Sequence, residues 1–512
     1  MRPTAEQEAI FQCKAHVIKV TAFAGTGKTT TLRGFAEANP NSRILYIAFN
    51  KAIQQEAERK FPTNVRARTA HSIAYGRFGH AYGAIKDKLG DIKPFHILEA
   101  LAPSLRSIPI AAANLYGGRV IEAVKAFLVS SDLTLTVKKH VSIGDSPVER
   151  AHFNRAAIHQ DALRVWALMQ DKTSTVPMPH DGYLKLFQLS GAVLPYDIVL
   201  LDEAQDTNPV TQAIVDLQPG RKVYVGDRHQ AIYGFRGAAD AMSMVRAEAE
   251  FHLTGSFRFG EAVADVANMI LAVKDEHVRL RGLGAPSTLT EVDERMPYAF
   301  IARGNSALFS LAVSAVTDEQ PFAFVGDLRN YRFDLIEDTY RLFNKEEPRD
   351  AFTRSFAGFE ELAEYADSIG DKEVTARCRL VTKYGHAIPY LVRQISEKAL
   401  PPIMHDSEQP VAARVAPGRK ALVILSSGHR CKGMEFDQVQ LADDFMDFFD
   451  EEDPTKLRDF SRADQQTIEE INLQYVAATR ARKTLEVNDK LSNYLAYVEA
   501  FHSRENAIPS PC

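Results

Sequence analysis

Cysteine and tryptophan are scarce in this chain: its 512 residues hold four cysteines and one tryptophan. Cys13, Cys378, Cys431 and Cys512 form no CxxC pair and are too few for a disulfide framework, so zinc-ribbon and disulfide-stapled classes drop out. We read them as buried or incidental thiols in a reduced, cytoplasmic compartment. Trp166 sits in a helical apolar pattern and reads as core. No apolar run approaches the ~20 residues that span a membrane, and the start, Met1-Arg-Pro-Thr-Ala-Glu-Gln-Glu, has acidic residues and no secretion-type apolar stretch. A large excess of positive charge is also missing. The formal net charge is −5, so a nucleic-acid site would have to be a local basic groove.

The chain is long enough for two to four domains, and 45% hydrophobic with 25% charged residues is globular composition. Strand-like apolar runs recur at 16–23, 43–49, 197–201, 222–226, 298–302, 321–325, 421–426, 439–442 and 484–487, each followed by a helical pattern. That alternation predicts an α/β fold with enough strands for two parallel sheets. Two stretches break the rhythm. Residues 82–192 and 346–415 read mainly helical, as insertions into α/β cores. There is no low-complexity tail and no short-period repeat.

Within the first α/β region, "VTAFAGTGKTTTL" places a glycine-rich turn between a strand and a helix. Gly25 and Gly27 free the backbone to curl its N–H groups round phosphates, Lys28 can reach the β and γ phosphates, and the Thr29 hydroxyl can bind Mg²⁺. The first position of this relaxed P-loop is Ala22 where the strict pattern has glycine. Further on, "DIVLLDEAQD" ends an apolar strand in carboxylates: Asp202 can hold Mg²⁺ through water, and Glu203 can polarise an attacking water. Together they predict Mg-dependent NTP hydrolysis. A third stretch, "VGDRHQAIYGFRGA", opens a strand end into Gln230, Tyr233, Phe235 and Arg236. Aromatic faces beside a base-reachable loop suit single-stranded nucleic acid, because base–aromatic stacking tolerates any sequence.

"DEAQD" with "VGDRHQAIYGFRGA" resembles motifs II and III of the UvrD/Rep-like superfamily 1A DNA helicases. The resemblance continues in order. "PTAEQEAI" is similar to the Q motif, "ILYIAFNKAIQQEA" to motif Ia and "TAHSIAYG" to motif Ib. "LTGSFRFGEAVADVAN" resembles motif IV, "LSSGHRCKGMEFDQVQL" motif V and "INLQYVAATRARKTL" motif VI. The phrases "AFAGTGKT", "AFNKAI" and "HSIAYG" look most like the F-box DNA helicase branch, without an F-box-like extension before residue 1. The motif IV tyrosine is Phe257 here, its asparagine Ser256 and its serine Phe259; the motif III tryptophan is Phe235; Ala70 replaces a phenylalanine before His71; and motif Ia is one residue shorter.

The resemblance implies two RecA-like parallel-sheet P-loop domains with ATP in the cleft between them, and helical insertion subdomains: domain 1A over 1–81 and 193–254, a 1B-like insertion over 82–192, domain 2A over 255–345 and 416–512, and a short 2B-like insertion over 346–415. It implies ATP and Mg²⁺ as ligands. Gln7 and Phe257 would read adenine. Ala24, Gly25, Thr26, Gly27, Lys28, Thr29 and Thr30 would cradle phosphate, and Glu435 would contact ribose. Catalysis would rest on Lys28, Asp202, Glu203, the γ-phosphate sensor Gln230 and the arginines Arg258 and Arg480, with Thr29 and Asp202 at the metal. Phe49, His71, Tyr233, Phe235, Arg236 and His429 would touch DNA. The implied function is ATP-driven 3′-to-5′ movement on single-stranded DNA and at single-strand/duplex junctions, with strand separation or protein displacement as output. The alternatives are a translocase that strips recombinase without useful unwinding and an NTP-switched partner protein. No nuclease constellation stands out, so a nuclease, like a recombinase, would be a separate partner. Repair, recombination control, replication and antiphage defence all use such an engine.

Overall fold

The fold is that of a computed structural model, described over residues 2–106, 108–109, 112–144, 146–234, 241–369, 371–404, 418–450 and 453–505. Phe235 and Arg236 lie outside the described residues. The chain divides into two compact units, one of Met1–Ala22 with Gly27–Leu253, the other of Phe23–Thr26 with Thr254–Cys512.

In the first unit six strands form one parallel sheet: β1 (Val17–Ala22), β2 (Ile44–Ala48), β3 (Val65–Thr69), β4 (Ile198–Leu201), β5 (Arg221–Gly226) and β6 (Ala249–Leu253). Their spatial order is β3-β2-β4-β5-β1-β6. The apolar runs predicted four of the six. β3 and β6 were not among them, and they are the two edges of the sheet. An edge strand is half solvated, so it keeps charges such as Arg66, Arg68 and Glu250 that a central strand buried on both faces could not. β2 and β4 are buried at every position.

The helical stretch enters between β3 and β4, beginning with Ala70–Ala74 and including Leu98–Leu105, Ala113–Val129, Arg155–Gln170 and His180–Leu189. It has its own core, in which Trp166 is buried with its ring edge-on to Phe127. Two buried lysines hold its loops. Lys88 donates to the carbonyls of Leu168, Ser174 and Val176, and Lys185 donates to those of Ser130 and Asp132.

In the second unit a short pair, β7 (Gly255–Ser256) and β8 (Arg281–Gly282), precedes another six-stranded parallel sheet. Its strands are β9 (Thr288–Leu289), β10 (Tyr298–Ala302), β11 (Phe322–Phe324), β12 (Val423–Ser427), β13 (Phe436–Leu441) and β14 (Ala481–Glu486), ordered β11-β12-β10-β13-β14-β9. The helices Asp334–Phe343, Phe359–Ile369, Lys372–Tyr384 and Ile388–Lys398 intervene between β11 and β12. No helix among the described residues is long and apolar enough to cross a membrane.

Candidate nucleotide and nucleic-acid site

A parallel sheet sends the carboxyl ends of all its strands to one edge, where loops carry chemistry. In the first unit that edge gathers the residues after β1 (Lys28), β2 (Phe49), β3 (His71), β4 (Asp202, Glu203) and β5 (Asp227, Gln230).

After β1 the chain turns through Gly25 at φ +73° and Gly27 at φ +79° into the helix Lys28–Glu37. A side chain is strained in that left-handed region, and a Cβ at Gly25 would also collide with Ser256 and Arg258. Gly27 is the N-cap and makes no side-chain hydrogen bond to the first turn, so those amides keep their capacity for an anion. Thr26 is buried and folds its hydroxyl back to the Phe23 carbonyl at 2.8 Å, while Thr30 is exposed.

Lys28 Nζ lies 3.1 Å from Glu203 Oε2. Burial opposes its charge, but the carboxylates of Glu203, Asp227 and Asp202 outweigh burial and hold its pKa above the ordinary lysine value. Asp202 is 3% exposed. Its pKa is raised, first by burial and then by the Glu203 charge, against the lowering influence of Lys28. Its Oδ1 accepts the Glu203 N–H at 2.9 Å; its Oδ2 accepts the Tyr46 hydroxyl at 2.6 Å and the Thr29 hydroxyl at 3.2 Å. Burial, with Asp202 alongside, pushes the Tyr46 phenol well above its ordinary range, so it stays a donor.

Glu203 itself has φ +50° and ψ +43°, a left-handed conformation that costs a side-chain-bearing residue roughly 1–2 kcal/mol. A strained residue at the apex of the carboxylate cluster is a mark of function more than of folding. Gln205, fully buried, holds it there: Nε2 donates to Glu203 Oε2 at 2.5 Å and to Asp206 Oδ2 at 3.3 Å, while Oε1 accepts the Asp227 N–H at 3.0 Å. Asp227 in turn caps the turn Arg228–Gln230 and accepts from Gln230 Nε2 at 2.7 Å. Glu203 and Gln230 are thus tied by an unbroken run of hydrogen bonds through Gln205 and Asp227.

Gln7, 4% exposed, completes a capping box with Thr4 and donates Nε2 to the Thr31 hydroxyl at 3.0 Å, which fixes it beside the P-loop helix.

The aromatic residues stand near the carboxylates. Phe49 is 43% exposed and lies parallel to Tyr233, with centroids 6.3 Å apart and planes at 11°. His71 pairs with Asp181 at 3.0 Å and meets the edge of Tyr183. A cavity of about 140 Å³ is lined by the aromatic rings of Phe49, His71 and Tyr233 together with Asp202, Asp206 and Thr207.

The second unit assembles its own cluster. Arg258 donates Nε to Glu435 at 2.7 Å and Nη1 to the Thr479 carbonyl at 3.0 Å. Arg480 is 1% exposed and donates to the carbonyls of Val476 and Met434 and to the Thr479 hydroxyl. Burial, then the Arg258 charge, lowers its pKa to about 10. Burial works against the Glu435 carboxylate, yet Arg258, with Arg480 and Arg482 behind it, holds its pKa below the ordinary glutamate value. Within this same unit the Phe257 N–H donates to the Gly25 carbonyl and the Ala24 N–H to the Tyr475 hydroxyl, each at 2.9 Å. His429 stands apart from this cluster in sheet topology: it follows the carboxyl end of β12, whereas Glu435 and Arg480 precede the amino ends of β13 and β14.

Sequence reasoning missed Tyr46, Gln205 and Asp227 as parts of the site. Gln205 and Asp227 stood inside quoted motifs, as polar residues at strand ends. Tyr46 was legible only as one more residue of an apolar strand.

For Mg²⁺ the donor set is the test. Thr29 and Asp202 present hard oxygens at one point, and three carboxylates face one ammonium, so the pocket favours an added cation. No group of three or more His, Cys, Asp or Glu among the described residues is arranged to hold a metal. That suits a cation taken with substrate phosphates better than one in an all-protein cage.

A family model described as an AAA domain matches residues 6–236, and one described as the UvrD-like helicase C-terminal domain matches residues 415–489. The chain is 31% identical over 533 residues to "F-box DNA helicase protein 1" of Schizosaccharomyces pombe, covering 96% of this chain and 58% of that protein. It is 31% identical over 524 residues to "F-box DNA helicase 1" of Gallus gallus, covering 96% of this chain and 50% of that protein. The chain therefore spans about half the length of these relatives, 58% of one and 50% of the other. An AAA-domain match in the first part of the sequence, a UvrD-like C-terminal match in the last part, and similarity to two F-box DNA helicases over 96% of the chain make it similar along nearly its whole length to the UvrD-like superfamily 1 helicases.

Proposed function

We propose that this protein is a DNA-dependent ATPase that moves 3′-to-5′ along single-stranded DNA and uses Mg-ATP hydrolysis to separate strands or displace bound protein. The observation that carries the reading is the shared cavity: Asp202, beside the P-loop, and the aromatics Phe49 and Tyr233 line one space. A rearrangement at the carboxylates therefore has a direct route to a base-stacking surface.

In this reading the P-loop amides and Lys28 hold the β and γ phosphates. Mg²⁺, held by Thr29 and Asp202, would neutralise developing charge on them. A phosphate competes with Glu203 for the Lys28 ammonium, and the Glu203 carboxylate, kept in place by Gln205, then accepts the proton of the attacking water. Gln230 senses the γ-phosphate and passes its position through Asp227 towards the stretch that carries Tyr233. Arg258 and Arg480 stabilise the transferring phosphoryl group; such arginines are worth on the order of 10³–10⁵ in rate in other NTPases. Gln7 and Phe257 take adenine, and Glu435 the ribose. Residues 1–81 with 193–254, and 255–345 with 416–512, act as the two motor domains, with 82–192 and 346–415 as their insertions.

The test is the ATPase rate with single-stranded DNA, duplex and RNA at stated salt, since such binding is salt-dependent. A low basal rate that rises strongly with single-stranded DNA is expected; no stimulation by any nucleic acid sinks the reading. Fork unwinding measured beside displacement of a recombinase filament separates a helicase from a stripping translocase. Slow turnover with a stable ATP complex would instead mark a switched partner protein.

A further inference from the structure

The Tyr46 hydroxyl has no part in the roles assigned above, yet its environment is specific. The residue is central in β2, opposite Leu200 of β4, with no exposed surface. Its ring is tilted against Phe61 at a centroid distance of 4.8 Å. The ring therefore cannot swing, and its O–H meets Asp202 Oδ2 at 2.6 Å. Oδ1 of the same carboxylate is held by the Glu203 N–H. Thr29 also donates to Oδ2, at the longer distance of 3.2 Å, and Thr29 is itself a proposed metal ligand. The carboxylate is thus clamped at one oxygen by the backbone N–H of Glu203 and at the other by a phenol locked in the core.

We propose that Tyr46 is a positioning residue for the divalent cation: its hydroxyl fixes the rotation of the Asp202 carboxylate and so sets the affinity of the site for the metal–nucleotide complex. The proposal rests on the nucleotide reading above. Partners that orient a metal ligand in this way are worth about 10–100-fold in metal affinity.

The experiment measures Mn²⁺ binding by electron paramagnetic resonance, with ADP as the nucleotide, in the parent protein, in Tyr46→Phe and in Phe61→Leu. Tyr46→Phe removes one oxygen and keeps the ring. Its Mn²⁺ affinity in the ADP complex should fall about tenfold or more. The Mg²⁺ concentration for half-maximal ATPase should rise in parallel, with kcat recovered at saturating Mg²⁺. Phe61→Leu loosens the packing but leaves the hydroxyl, so it should lower the melting temperature and shift Mn²⁺ affinity less than Tyr46→Phe does. Equal Mn²⁺ affinities in the parent protein and Tyr46→Phe overturn the proposal, as does a Tyr46→Phe defect in kcat that excess Mg²⁺ does not restore. If the parent protein shows no ADP-dependent Mn²⁺ binding, the nucleotide reading fails first and takes the proposal with it.

Discussion

Replacing Gln205 with leucine tests the hydrogen-bonded run that joins Glu203 to Gln230. Leucine keeps most of the volume, so no large cavity opens and the change is one of polarity. Two groups lose their partner. The Asp227 N–H, buried at the end of β5, loses its acceptor at 3.0 Å; an orphaned buried amide costs about 1–3 kcal/mol. The Glu203 carboxylate loses a donor at 2.5 Å; a hydrogen bond to a charged group is worth about 1.5–3 kcal/mol. Both depend on one side chain, so they do not simply add, and we expect a net loss of about 2–4 kcal/mol. Urea unfolding of the purified protein reads this directly. Glu203 would then keep its ion pair with Lys28 and its strained backbone but lose the bond that Gln205 supplies. The DNA-stimulated kcat should fall about 100-fold, the scale of a catalytic group misplaced by about 1 Å. KM for ATP should hold, because the P-loop and Lys28 are untouched. Since Gln205 acts through Glu203, Gln205→Leu added to Glu203→Gln should lower kcat little beyond Glu203→Gln alone. Unfolding within about 0.5 kcal/mol of the parent protein would show that the buried bonds carry no stability. A parental kcat would refute the positioning of Glu203.

Three other outcomes follow from the same geometry. Glu203→Gly and Glu203→Ala both remove the carboxylate, but only glycine relieves φ +50°, so by urea titration the glycine variant should be the more stable by about 1 kcal/mol. Phe49→Ala should weaken single-stranded DNA binding by about 1–3 kcal/mol in a fluorescence anisotropy titration, with KM for ATP unchanged. In the helical insertion, the Arg119 guanidinium 2.5 Å from Glu149 holds that carboxyl at about 2, below its ordinary 4.5. A depressed carboxylate pKa contributes stability that is complete above about pH 4.5 and is lost as pH falls towards 2. Glu149→Gln should therefore lower stability at neutral pH and flatten the acid limb of a pH–stability curve across that window.

What the chain alone determined is considerable, and it follows from chemistry that is local in sequence. A P-loop needs glycines, a lysine and a threonine within a few residues of a strand end, so "AGTGKT" is legible without a fold. The buried strands of a parallel sheet are near-continuous apolar runs, so β1, β2, β4 and β5 stood out. The order of the motifs carries the resemblance to the UvrD-like helicases. The tertiary structure decided what depends on neighbours far apart in the chain. β3 and β6 have mixed polarity because they are edges, and only pairing with β2 and β1 makes them strands. Tyr46 looks like core until β2 is set beside β4 and its hydroxyl lands on Asp202, 156 residues away in sequence. Gln205 and Asp227 are ordinary polar residues until burial removes water and leaves each the other's partner. Sequence specifies which groups can do chemistry; burial and register decide which of them are held still enough to do it.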